Sequence, residues 1–187
     1  MLIIDFMRIP VLYGSMREGR KSEAVAKFVH AELLKRGIES EYVTSEPYRD
    51  REPLERKHPE PWKSIMESAD GLIVVAPEYN HGYPGQLKEM IDALTIEYNY
   101  KPVGFVGAGG YSGGSRAVEQ LRQVMIELRM VPIREALYFP MVWELLNDKG
   151  ELKNPELFLP RLETFLKELF WYAEALKEGR EKHPWSK

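Results

Sequence analysis

The chain has 187 residues, a formal net charge of −3 and no cysteine. Its length fits one domain, and a hydrophobic content of 44% is enough to build a core. The missing cysteine excludes disulfides, thiolate catalysis and thiolate metal sites, and the acidic charge argues against nucleic acid as a partner. The four histidines do not have the spacing of metal ligands. The apolar segment at the start of the sequence is too short to span a bilayer and lacks the features of a signal peptide. We therefore expect a single domain over residues 1–187 that works in the cytoplasm without a metal ion or a membrane.

Short apolar runs alternate with longer amphipathic segments along the chain. In order, the pattern predicts a strand at 8–14, a helix at 22–36, a weaker strand at 39–44, a Pro-rich loop at 45–60 and a short helix at 61–69. It continues with a strand at 71–77, a helix at 84–95, a strand at 102–108, a helix at 115–130, a strand at 133–139 and a helix at 155–177. This alternation predicts an α/β fold, a five-stranded parallel sheet with helices on both faces. Pro10 lacks an N–H group, so we expect it at the very first position of its strand.

Three loops with unusual composition follow the predicted strands, at residues 14–22, 77–85 and 107–116. In a parallel sheet with helices on both faces, ligands bind beyond the carboxyl ends of the strands. The fold should therefore bring the three loops together at one edge of the sheet.

The first loop, GSMREGRKS, has the composition of a phosphate site. We expect Gly14 to turn the chain sharply, and the basic residues stand just before a helix whose first N–H groups are free. The alternative is a solvated basic turn capped by Ser22, and a Walker loop is excluded because G-K-[ST] is absent. The residues that would face a phosphate are Ser15, Arg17, Arg20, Lys21 and Ser22.

The second loop, PEYNHGYPG, combines hydrogen-bonding groups with aromatic side chains. Glu78 and Asn80 can bond the polar edge of a flat heteroaromatic ring, and the neighbouring aromatic residues offer surface to its faces. The alternatives are that Tyr79 and Tyr83 pack under the loop and that His81 is a surface or interface residue. For Glu78 we favour a structural or hydrogen-bonding role over general-base catalysis.

The third loop is rich in glycine, with six glycines between Gly104 and Gly114. Its G-x-G-G-x-x-G-G string is not a dinucleotide fingerprint, because that motif follows the first strand and this one follows the fourth. We expect flexible backbone that covers a ring closely.

These motifs together resemble the NADPH-dependent FMN reductase family of flavodoxin-like flavoproteins. The resemblance is carried by GSMREGRKSEAVAKFV, PEYNHGYPGQLKEMIDAL and GGYSGGSRAVEQLRQVMIELRMVPIREAL, in this order and spacing. It implies a flavodoxin-like three-layer sandwich with strand order 2-1-3-4-5 and a non-covalent FMN.

The resemblance also assigns the ligand-facing residues by position. The phosphate would be surrounded by the five residues of the first loop named above. The isoalloxazine ring would be lined by Pro77, Glu78, Tyr79, Asn80, His81 and Gly82, and flanked by Ala108, Gly109, Gly110 and Tyr111. The resemblance also implies a homodimer or homotetramer, whose interface would include aromatics expected to be exposed. The alternative is that these aromatics cap the core. They are Tyr98, Tyr100, Trp143 and Trp171.

The resemblance implies a ping-pong oxidoreductase in which a nicotinamide, NADPH or NADH, transfers a hydride to FMN. The flavin then reduces a small acceptor: free flavin, a quinone, an azo dye or a metal oxyanion. No protein residue is expected to act as an acid or base, since the flavin carries the chemistry. The alternative is a flavodoxin-type one-electron carrier that does not oxidise nicotinamide itself. A response-regulator receiver is disfavoured because it needs an acidic pair after the first strand and an Asp at the end of the third, where this chain has YGSMR and APEYN.

Overall fold

The computed structural model describes residues 7–46 and 61–184 and contains one parallel sheet of five strands. The strands are β1 (Val11–Tyr13), β2 (Tyr42–Thr44), β3 (Leu72–Pro77), β4 (Pro102–Ala108) and β5 (Val131–Phe139). Their spatial order is β2-β1-β3-β4-β5, and all four pairings are parallel. The predicted α/β class and the strand order implied by the resemblance are confirmed.

Five α-helices connect and follow the strands. They are α1 (Glu23–Lys35), α2 (Trp62–Ser68), α3 (Gly85–Asp92), α4 (Ser115–Glu127) and α5 (Leu159–Lys182). Two hydrophobic clusters divide them between the faces of the sheet: α1 and α5 pack on one face, and α2, α3 and α4 pack on the other. The result is the three-layer sandwich that a parallel sheet requires to bury both faces.

The central strands are apolar throughout because they are covered on both sides. Every residue of β3 and β4 is buried, whereas in β5 at the edge only Ile133, Leu137 and Phe139 are buried. Gly104 in β4 allows α5 to approach closely, because a Cβ atom there would lie 2.7 Å from Cε2 of Phe165.

Several boundaries differ from the sequence prediction. The weak strand predicted at 39–44 is regular only over Tyr42–Thr44, while Glu39 forms an isolated bridge with Arg8. Pro10 lies one residue before β1, where its carbonyl oxygen accepts a hydrogen bond from the Ile73 N–H (3.0 Å). The predicted loop at 45–60 lies outside the described residues from position 47 onward.

Helix α4 ends earlier than predicted, at Glu127 rather than near Met130. Arg129 adopts a left-handed conformation with a φ of 56°, and the Met130 N–H bonds the Met125 carbonyl at 2.9 Å. This left-handed closure ends the helix without the glycine that usually occupies such a position.

Tyr98 was expected to be exposed, and that expectation is wrong. Its side chain is fully buried, and its hydroxyl accepts a hydrogen bond from Nε1 of Trp62 at 3.1 Å. Trp143 and Trp171 are half exposed, as expected. None of the helices among the described residues combines the length and apolar character needed to cross a bilayer.

Candidate functional site

β1, β3 and β4 end at one edge of the sheet, and the loops that follow them all line one cavity of about 320 Å³. The short helix after β5, Val142–Leu145, closes one side of it. The lining residues are Arg17, Glu18, Gly19, Arg20, Lys21, Ser22, Pro77, Glu78, Tyr79, Ala108, Gly109, Gly110, Val142 and Trp143.

The first loop is fixed to the sheet by Gly14, although for a different reason from the one predicted. A Cβ atom at Gly14 would lie 2.6 Å from Cδ2 of Leu87, so glycine is required there by close packing against α3. The left-handed residue that turns this loop is Gly19, with a φ of 66°. The sequence argument therefore gave the turn to the wrong glycine.

Ser22 stands at the start of α1 but does not cap it with its side chain. Its hydroxyl instead forms a buried hydrogen bond with the Tyr13 hydroxyl at 2.9 Å. Burial raises the pKa of Tyr13 to about 12 although this bond to Ser22 acts to lower it, so the Tyr13 hydroxyl stays protonated at neutral pH. The pair anchors the first turn of the helix to the end of β1.

Ser15 connects the first loop to the second. Its fully buried hydroxyl lies 2.6 Å from the Tyr79 hydroxyl, and the Arg17 guanidinium lies 5.0 Å from the centre of the same tyrosine ring. A cation over an aromatic face is attracted to it. Tyr79 therefore holds the basic loop against the loop that follows β3, which the sequence did not indicate.

The three basic residues of the first loop have different surroundings. The guanidinium of Arg20 bonds the Glu23 carboxylate at 3.2 Å and lies 3.8 Å from that of Glu46. Arg17 and Lys21 are exposed and line the cavity without an ion pair among the described residues. They are the two side chains whose charge is available to an anion, and the N-terminus of the 13-residue helix α1 adds its own partial positive charge.

The second loop contains a tight turn of two left-handed residues. Asn80 and His81 have φ values of 49° and 70°, and the backbones of Tyr79 and Gly82 exchange two hydrogen bonds of 2.8 and 3.0 Å. This is the geometry of a type I′ turn, which favours Asn at its first central position and Gly at its second. Asn80 and His81 are both exposed in this turn.

Glu78 joins the second loop to the third through three hydrogen bonds. Its carboxylate accepts from the Ser112 hydroxyl (2.9 Å), the Arg116 backbone N–H (3.1 Å) and the Arg116 guanidinium (2.7 Å). Burial acts to raise the pKa of Glu78, but the bonds from Arg116 and Ser112 together lower it below its ordinary value. Glu78 is therefore charged at neutral pH and serves as a structural acceptor.

The glycines of the third loop divide into two groups. A Cβ atom at Gly114 would lie 2.6 Å from the Ala108 nitrogen, and one at Gly107 would lie 2.7 Å from the Gly113 carbonyl oxygen. These three glycines let the loop fold back on the end of β4. Of the glycines in the third loop, Gly109 and Gly110 line the cavity, and the carbonyl oxygens of both accept hydrogen bonds from the segment after β5.

The cavity contains ten of the fifteen residues that the sequence proposed for ligand binding. The other five do not line it: Ser15, Asn80, His81, Gly82 and Tyr111. Tyr111 is 93% exposed, whereas Ser15 is buried beneath the loop as a support for Tyr79. Four lining residues were not proposed from the sequence: Glu18, Gly19, Val142 and Trp143. The last two come from a segment with no recognisable motif.

A larger cavity of about 700 Å³ lies at the opposite end of the strands, beside Lys101, which precedes β4. The Lys101 ammonium is buried and bonds the carbonyl oxygens of Met66 and Glu67 at the end of α2. Burial lowers the pKa of Lys101 to about 8. Its donors serve to close a helix end, so this cavity is a weaker candidate than the one at the carboxyl edge.

Comparisons with known proteins show which family and which fold this chain resembles. A family model described as NADPH-dependent FMN reductase matches residues 7–144. An NAD(P)H-dependent FMN reductase of Schizosaccharomyces pombe is 32% identical over 149 residues, which cover 71% of this chain and 74% of that protein. An NADPH azoreductase of a Bacillus species is 31% identical over 123 residues, covering 62% of this chain and 66% of that protein.

Among solved structures, the flavoenzyme NAD(P)H:(acceptor) oxidoreductase FerB of Paracoccus denitrificans superposes with a TM-score of 0.70. It is 20% identical and covers 90% of this chain and 98% of its own. At this level of identity the likeness demonstrates the shared flavodoxin-like fold.

Proposed function

Because the chain belongs to the NADPH-dependent FMN reductase family, we infer that it is an NAD(P)H-dependent oxidoreductase that works through FMN. Bound FMN supplies the redox chemistry: it takes two electrons from the nicotinamide and passes them to an acceptor. The protein's own contribution is to bind the cofactor, orient it and control its surroundings.

The basic end of the cavity fits the phosphate of FMN. Arg17 and Lys21 are exposed cations that line it, and α1 begins beside them. A guanidinium can hold a phosphate through two parallel hydrogen bonds, and a helix N-terminus adds free N–H donors. Arg20, paired with Glu23, would keep the loop in shape and hold the phosphate less directly.

The other end of the cavity fits a flat ring. Its walls are the short stretches Pro77–Tyr79 and Ala108–Gly110, with the side chains of Val142 and Trp143 on the third side. Glycine at positions 109 and 110 lets the backbone approach a ring without an intervening side chain. Backbone N–H groups in such a wall can stabilise negative charge that develops on the ring's polar edge.

The observation that carries this proposal is the continuity of the cavity. Residues of the basic loop and residues of the ring slot line the same space. A molecule with a phosphate at one end and a planar ring at the other matches both halves at once, as FMN does. Neither a free phosphate nor an uncharged ring would use the whole site.

The function is tested by loading the protein with FMN and mixing it anaerobically with NADPH or with NADH in a stopped-flow instrument. We expect rapid bleaching of the flavin absorbance, followed by its recovery when a quinone, an azo dye or free flavin is added. Free FMN mixed with the same nicotinamide is the control. Slow bleaching no faster than this control would instead identify a one-electron carrier of the flavodoxin type.

The acceptor range, the location and the assembly state extend the same proposal. An open ring face that admits a nicotinamide would also admit flat acceptors and small oxyanions, so we expect several acceptors to work. A homodimer or homotetramer is consistent with exposed apolar side chains such as Ile126 and Leu157, and we expect the protein in the cytoplasm. Light scattering on the purified holoprotein measures the number of subunits, and a monomer would remove the oligomer from the proposal.

A further inference from the structure

Trp143 is the largest side chain in the cavity that neither a motif nor the family resemblance assigns to the cofactor. We propose that Trp143 packs against the bound FMN and shields it from water on the side of β5, an inference that rests on the proposed function. The family resemblance left two roles open for this tryptophan, an interface residue or a cap on the core.

The backbone that carries Trp143 is attached to the ring slot itself. The Met141 N–H bonds the Gly110 carbonyl at 3.0 Å, and the Val142 N–H bonds the Gly109 carbonyl at 3.1 Å. Met141 is left-handed, with a φ of 47°, and it starts the short helix Val142–Leu145. The two glycines that form one wall of the cavity therefore also set the position of the tryptophan.

The indole lies beside the space that a ring would occupy. A Cβ atom built on Gly110 would be 3.7 Å from Cη2 of Trp143, so the indole stands next to the Gly110 backbone. Trp143 also lines the same cavity as Arg17 and Ser22 of the basic loop. An occupant that fills this cavity from the basic loop to Gly110 would contact the indole.

The exposure of Trp143 supports a ligand-facing role. Half of its surface, 50%, is exposed, whereas Trp62 in the core is 1% exposed. The other half-exposed tryptophan among the described residues, Trp171 on α5, is 57% exposed, packs edge-on against Tyr172 and does not line the cavity. Trp171 is therefore a matched control for the loss of a half-exposed indole outside the site.

The test is a titration of the apoproteins with FMN, in which the quenching of flavin fluorescence measures binding. Stacking of a base on an aromatic side chain is sensitive to alanine substitution, and by analogy we expect W143A to weaken FMN binding about tenfold. W143F should recover most of the affinity because it keeps an aromatic face, and W171A should bind FMN as the wild type does. The visible absorption band of the bound flavin should shift in W143A and not in W171A.

The outcomes separate this inference from the function on which it rests. If the wild type takes up no FMN, the proposed function fails. If the wild type binds FMN and W143A binds it equally well, with an unshifted band, only the role of Trp143 is refuted. A W143A variant that keeps its FMN affinity but changes its number of subunits in light scattering would also refute it, because the indole would then belong to an interface. Thermal unfolding of the apoproteins checks that W143A and W143F remain folded.

Discussion

The first loop contains three residues of like charge with different roles: Arg17, Arg20 and Lys21. Arg20 is held by Glu23 and by the Tyr13 ring, 5.6 Å from the guanidinium carbon, so its charge is largely used inside the protein. Arg17 lies over Tyr79 and remains exposed. The sequence could place all three near a phosphate, but only the structure separates a ligand-facing cation from a supporting one.

Replacing Arg17 with alanine should weaken FMN binding without affecting riboflavin, which lacks the phosphate. A hydrogen bond to a charged group contributes about 1.5–3 kcal/mol, which corresponds to roughly a ten- to hundredfold loss of FMN affinity. Both ligands are titrated into the R17A apoprotein, with R134A as the control because Arg134 is on β5, 88% exposed and outside the cavity. Equal effects of R17A on the two ligands would show that Arg17 does not contact the phosphate.

Replacing Glu78 with glutamine should loosen the attachment between the second and third loops. The variant leaves the Arg116 guanidinium facing an uncharged amide. We therefore expect its free energy of unfolding to be about 1–3 kcal/mol lower than that of the wild type. Chemical denaturation measures this difference, with E174Q on the exposed face of α5 as the control.

The effect of Glu78 should also depend on pH in a defined direction. Its pKa is lowered in the folded state, so its stabilising contribution is present above the unfolded pKa, about 4.3, and is lost as the pH falls through the lower folded value. The stability difference between the wild type and E78Q should thus be constant from about pH 6 to 8 and shrink below about pH 4. A difference that does not change with pH would mean that the carboxylate charge is not what joins the loops.

At the scale of secondary structure, the sequence predicted which segments are strands and helices and failed mainly at their ends. The apolar runs of β3 and β4 were unambiguous because both faces of these strands are buried. The end of α4 was misjudged because Arg129 adopts a left-handed conformation that sequence patterns associate with glycine. His81 is a similar case. It is also left-handed, in the turn after β3, and the only residue in the sequence that indicates this turn is the preceding Asn80.

The packing of α5 on the sheet can be tested at Gly104. An alanine there would press on the ring of Phe165, which is also buried, and overpacking of this kind costs about 1–3 kcal/mol of stability. The control is G179A within α5, where an added Cβ has no heavy atom within 4 Å. That variant should be about 0.5–1 kcal/mol more stable than the wild type, because alanine favours a helix interior over glycine. Equal stability of G104A and the wild type would mean that α5 can shift away from β4 without loss.

At the scale of the whole molecule, the sequence predicted that three loops meet at one edge of the sheet, and they do. Parallel strands place their carboxyl ends together, so this followed once the alternation of strands and helices was recognised. The contacts between the loops did not follow: Ser15 with Tyr79, and Glu78 with Arg116, are 64 and 38 residues apart in sequence. The sequence likewise could not predict that Trp143 lines the cavity, because its position depends on hydrogen bonds to Gly109 and Gly110 from the segment after β5.

The most direct test of the central claim is the titration of the wild-type apoprotein with FMN and, in parallel, with riboflavin. If the basic loop and the ring slot act as one site, FMN saturates at one molecule per chain and binds at least tenfold more tightly than riboflavin, as expected for the charge-assisted bonds to its phosphate. Failure to take up FMN, or equal affinity for the two flavins, would contradict the claim that the three loops form one cradle for a phosphorylated ring.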